Sequence, residues 1–138
     1  MGENLLIPLF AAAGVFFLWA VELFFPFPWV IEELFKFFLV GYVVKKRHGF
    51  EGELPLILAT GLAFSASEAL FYLFNYLPGG SLAPFFVRLA VTTPMHLSTF
   101  VLLYLGLRKG IWFGLVALVL SAGLHYWFNS VAVGLIPR

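Results

Sequence analysis

The chain has 138 residues, of which 62% are hydrophobic, 20% aromatic and only 11% charged, for a net charge of +1. About a quarter of an ordinary globular chain is charged, so this composition excludes a water-soluble domain and implies a single integral membrane domain over residues 1–138. No basic patch suggests nucleic acid, and the absence of cysteine excludes disulfides, thiolate nucleophiles and zinc–thiolate or iron–sulfur sites.

A membrane-crossing helix needs about 20 predominantly apolar residues. Five segments meet or approach that length, at 5–25, 29–44, 54–77, 82–107 and 111–136. The first follows Met1-Gly2-Glu3-Asn4, which lacks the basic start of a secretory leader, so it is expected to stay as a span. Pro26-Phe27-Pro28 separates it from the second, a short segment that holds Glu32, Glu33 and Lys36 among apolar neighbours, with Trp29 marking its outer boundary. A charged connection, Lys45–Glu53, follows and places His48 in solvent. In the third segment Phe64, Glu68 and Tyr72 recur at i,i+4 and share one face. The turn Pro78-Gly79-Gly80-Ser81 leads to the fourth, with Arg88 and His96, and Arg108-Lys109-Gly110 leads to the fifth, with His125 and Asn129 one turn apart. Connections this short make successive helices antiparallel neighbours. The expected fold is therefore all-α: a polytopic membrane protein, a compact bundle of about five transmembrane helices. Gly61, Ser65, Gly114, Ser121 and Gly123 are small enough for close helix approach.

Loop charge predicts orientation. Lys45, Lys46, Arg47, Arg108 and Lys109 fall on one side and the opposite loops, 26–28 and 78–83, have none, which predicts a cytoplasmic N-terminus and an outward C-terminus ending at Arg138. At about 1.5 Å per residue, Glu32, Glu33, Glu68, His96 and His125 then all lie in the outer half of the bilayer. An ionisable group near the bilayer centre costs about 2.5–3.5 kcal/mol on insertion scales, so these groups are expected to face one another around a polar cavity rather than lipid. Lys36 stands at i+4 from Glu32 and i+3 from Glu33 and is able to neutralise either. Two adjacent carboxylates at low dielectric cannot both ionise cheaply, so one is expected to hold its proton, a state suited to acid–base work. Arg88 has two structural readings, snorkelling outward or pairing with Glu22. Lys36 is equally well read as a counter-ion alone, and each histidine as a helix-to-helix hydrogen bond.

Glu32-Glu33-x-x-Lys36, Phe64-x-x-x-Glu68-x-x-x-Tyr72, Arg88 with His96, and His125-Tyr-Trp-Phe-Asn129 occur in that order, each within a span. Together they resemble the PrsW family of intramembrane proteases, distantly related to the prenyl-protein (CAAX) and bacteriocin-processing endopeptidases and to a scaffold subunit of γ-secretase. The basic residue comes one position early for the prenyl-protein pattern, and Glu68 replaces a histidine; both departures favour the PrsW side. The resemblance implies a protease of a prokaryotic cell membrane that cuts a membrane-anchored protein near the outer face. It implies Glu32, Glu33, His125 and Asn129 as catalytic residues, with Lys36, Tyr72 and Arg88 in support. Two mechanisms are open. In one, Glu68, His96 and His125 hold a zinc ion with an open fourth position, and Glu33 or Glu32 is the base on its water. In the other, a glutamate activates water directly while His125 and Asn129 hold the oxyanion. Two other classes stay in view: an ion- or proton-coupled transporter, because buried acids also mark ion paths, and a non-catalytic scaffold.

Overall fold

The computed structural model describes residues 2–46, 50–76 and 82–132. Arg47, His48, the Pro78–Ser81 turn and Arg138 lie outside the described residues. Five helices follow in order: α1 (Gly2–Glu22), α2 (Pro28–Lys46), α3 (Phe50–Tyr76), α4 (Ala83–Lys109) and α5 (Ile111–Ala132). Among the described residues there is no strand. Four helices are long and apolar enough to cross a membrane, over Leu5–Glu22, Gly52–Leu73, Ala83–Lys109 and Ile111–Val131. The chain is thus an all-α, membrane-spanning bundle, and large apolar side chains such as Phe17, Phe24, Phe38, Trp112 and Trp127 cover its outside.

Helix boundaries follow from local chemistry. Pro28 stands at the first position of α2, where its missing N–H would have had no partner in any case. That start extends the second helix to 19 residues, longer than the 29–44 segment. Gly110, at φ 130°, closes α4 by donating to the Leu107 carbonyl at 3.1 Å. Its own carbonyl accepts from Gly114 at 2.9 Å, which starts α5 with no intervening loop. Pro8, Pro55 and Pro94 lie inside helices that continue through them, as spans tolerate when neighbours pack around the freed backbone. Buried or lipid-facing hydroxyls of Thr60, Ser98 and Ser130 donate to the carbonyl four residues back, so they demand no partner from lipid.

Within the bundle α1 packs on α3, α3 on α4 and α4 on α5, while α2 touches all four other helices. That central position explains how the most heavily charged helix is accommodated: Glu33 and Lys36 are buried on it beside Phe37, Leu39, Val40 and Val43. Ser67 donates to the Ala12 carbonyl at 2.7 Å and Phe71 packs on Phe16 and Trp19, fixing α3 to α1. Gly61 lies under Leu97 and Phe100 and Gly114 under Leu107, at close contacts between helices. Gly123, expected at such a contact, faces open space instead. At the basic end, Glu53 accepts from Tyr104 at 3.0 Å and from Arg108 at 3.2 Å, joining the start of α3 to the end of α4.

Candidate functional site

The polar groups of four helices meet in one chain of hydrogen bonds. Arg88 of α4 donates to Glu68 of α3 at 2.9 Å, and the other oxygen of Glu68 lies 2.5 Å from Nε2 of His96. Nδ1 of His96 lies 2.9 Å from the Lys36 ammonium of α2, which also donates to Glu33 Oε1 at 2.6 Å and to Thr99 at 3.3 Å. Glu33 Oε1 in turn lies 2.8 Å from Nδ1 of His125 on α5. Because an ammonium can only donate, Nδ1 of His96 is the acceptor and its Nε2–H donates to Glu68; against a carboxylate, Nδ1 of His125 donates. With both imidazoles neutral, Arg88 and Lys36 balance Glu68 and Glu33. Glu33, Lys36 and His96 are fully buried, so this pairing is what makes the chain tolerable at low dielectric.

Glu32 stands outside that balance. Its Oε2 is buried without a hydrogen-bond partner and faces Nε2 of His125 at 3.9 Å. It lines a cavity of about 30 Å³ together with Glu22, Glu68 and Tyr72, with apolar walls from Leu18, Phe64 and their neighbours, which is room for a water molecule. The side chain of Glu32 keeps 14% exposure where that of Glu33 has none, so of the two adjacent acids Glu32 is the one that a small molecule can reach.

Of the residues singled out in the sequence, the structure brings together Glu32, Glu33, Lys36, Glu68, Arg88, His96 and His125. Lys36 selects Glu33 rather than Glu32. Arg88 bonds Glu68 and lays its guanidinium 3.5 Å from the centre of the Tyr72 ring, which gives Tyr72 a stacking role. Asn129 is not drawn in: it is exposed on α5, and no hydrogen bond of the cluster reaches it. Thr99 and the rings of Phe64 and Phe100, 4.9 and 5.8 Å from the Lys36 nitrogen, belong to the site although sequence reading passed over them. Thr99 stands three residues after His96, so the helical repeat could have placed both on one face.

The three residues considered for zinc are committed to other partners: Glu68 to Arg88 and His96, His96 to Lys36 as well, and His125 to Glu33. Tetrahedral zinc needs each donor within roughly 2.0–2.3 Å of the ion. Here both nitrogens of His96 are engaged within the chain. Among the described residues no three histidine or acidic side chains are arranged to hold a metal ion. The Lys36 ammonium already supplies the central positive charge.

Fold and site together define a helical membrane protein with a charge-balanced polar chain at its core and Glu32 and Glu22 outside that balance beside a water-sized cavity. No protein family, curated protein or solved structure matches this chain.

Proposed function

We propose that the protein is an intramembrane peptidase that hydrolyses a peptide bond of a membrane-anchored protein, with Glu32 as general base and no metal. One observation carries the reading: Glu32 has a buried, unpartnered oxygen and lines a cavity that fits a water, whereas Glu33, whose Oε2 is also unpartnered, does not line that cavity. In this mechanism Glu32 takes a proton from that water as its oxygen attacks the scissile carbonyl carbon, then returns the proton to the leaving nitrogen. Glu32 becomes that base by passing its own proton to Nε2 of the otherwise neutral His125, 3.9 Å away; the imidazolium so formed is held by Glu33 through Nδ1 and donates from Nε2 to the oxyanion. Lys36 holds Glu33 in place, and Arg88, Glu68 and His96 hold Lys36. Asn129, one turn outward and exposed, is the candidate contact for the substrate backbone. The resemblance to PrsW-type proteases supports the same reaction. The excess of lysine and arginine at the ends of α2 and α4 supports a cell-membrane orientation with the site toward the outer face.

A scaffold role is the second reading, favoured by the continuity of the hydrogen-bond chain, which by itself would staple four helices. The discriminating experiment reconstitutes the protein with a single-span reporter substrate. Glu32→Gln keeps the shape of the side chain and should lower cleavage by about 100-fold or more with the helical signal and melting temperature unchanged. Wild-type cleavage by that variant would exclude Glu32 as the base. No cleavage by the unaltered protein across varied single-span substrates would favour the scaffold. Zinc remains the alternative chemistry: elemental analysis showing less than about 0.1 metal per chain in active protein would exclude it.

A further inference from the structure

On the face away from the polar chain, α1 and α2 separate toward the basic end and leave a groove of about 680 Å³. Leu6, Ile7 and Phe10 line it from α1, and Phe35, Leu39 and Val43 from α2. Its inner end is closed by the stacked rings of Phe10 and Phe35, 6.1 Å apart, with Phe35 pressed against Gly14. Its mouth carries Tyr42 and Lys46, the lysine donating to the phenol oxygen at 3.1 Å. Lys45 stands beside them, exposed.

Length and charge decide what fits. From Phe35 to Lys46 the groove follows eleven steps of helix, about 16 Å at 1.5 Å per residue, close to half of the roughly 30 Å hydrocarbon thickness. It is therefore one leaflet deep, too short for a crossing helix and matched to an acyl chain. Its apolar walls end in an ammonium and a phenol hydroxyl at the level where a phospholipid carries its phosphate, and basic pockets between membrane helices favour anionic headgroups. We propose that this groove binds one anionic phospholipid of the leaflet on the basic side, with an acyl chain between α1 and α2 and its phosphate on Lys46 and Tyr42. The tail would end on Phe35, whose ring packs 6.3 Å from that of Phe64, and Phe64 touches His96 at 5.1 Å. An occupied groove thus supports the apolar wall of the polar chain. The site does not depend on the peptidase reading.

The test is native mass spectrometry of the detergent-purified full chain, titrated with palmitoyl-oleoyl phosphatidylglycerol or with phosphatidylcholine of the same chains. One phosphatidylglycerol should be retained about fivefold more tightly than phosphatidylcholine, the scale set by one lysine at the interface. Lys46→Gln should erase that preference, while Lys109→Gln, which removes the same charge at the same end of the bundle, should leave it. Leu6→Trp, at a position 62% exposed and thus tolerant of bulk, should abolish retention of both lipids without lowering the melting temperature. Equal retention of the two lipids, equal effects of the two lysine variants, or unaltered retention by Leu6→Trp would each overturn the proposal. So would a dimer of the chain that Leu6→Trp dissolves, since a second copy would then fill the groove.

Discussion

Taking an ammonium group out of water costs several kcal/mol, and Lys36, with no exposed surface, offsets that cost through Glu33, His96 and Thr99. The partnership is reciprocal, so removing one member should cost more than the pair is worth. Lys36→Met leaves Glu33 buried without its cation and should destabilise the fold by about 3–5 kcal/mol, read as a lower thermal midpoint in detergent. Adding Glu33→Gln removes the stranded charge and should recover much of the loss. If the double variant melts no higher than Lys36→Met, the two residues are not an energetic unit. The same reasoning separates the two adjacent acids: Glu33 is tied through Oε1 to a cation and an imidazole, while no hydrogen bond of the cluster reaches Glu32. Substitution of Glu33 should therefore lower stability, whereas Glu32→Gln should leave it close to unchanged.

Between helices, two glycines stand where an added side chain would meet a neighbouring helix. At Gly106 of α4 an added Cβ would lie 2.8 Å from the Phe113 carbonyl oxygen and 2.6 Å from Ala117 Cβ on α5. Backbone cannot yield there, so Gly106→Ala should separate α4 from α5 at a cost of about 1–3 kcal/mol, and Ala117→Gly should not restore it. Gly14 differs, because the atom in the way, 2.2 Å from an added Cβ, is the tip of the Phe35 ring. Gly14→Ala should thus cost less than Gly106→Ala, and trimming the ring with Phe35→Leu should recover most of it. Thermal midpoints of the four single variants and the two pairs check both claims. A full rescue at Gly106 would mean that the Phe113 carbonyl is not the obstacle.

Over the whole molecule the placement of α2 governs the rest. A helix with five charged side chains is poorly suited to face lipid, and its contacts with all four other helices shield the Glu33–Lys36 segment. Alternating helix direction puts the α1–α2 turn and the α4–α5 junction at opposite ends of the bundle. Because the chain has no cysteine, single cysteines report this directly. Phe24→Cys should react with a membrane-impermeant thiol reagent added outside cells, and Lys109→Cys only after the inner side is opened. Labelling of both from one side would mean that one helix does not cross.

Sequence alone determined the all-α, membrane-spanning class, because long apolar runs broken by proline, glycine and charge have few other solutions in lipid. It also placed Glu32, Glu33, Glu68, His96 and His125 at one depth, since rise per residue is fixed along a helix. Rotation and neighbour choice were not legible, because they depend on how five helices pack at once. Tertiary structure alone decided that Lys36 takes Glu33 and frees Glu32, and that Arg88 goes to Glu68 rather than Glu22. It also left Asn129 on the surface and parted α1 from α2 into an apolar groove. Each of those outcomes turns on distances of a few ångströms between helices far apart in sequence, where Coulomb energy and packing change steeply and local pattern carries no information.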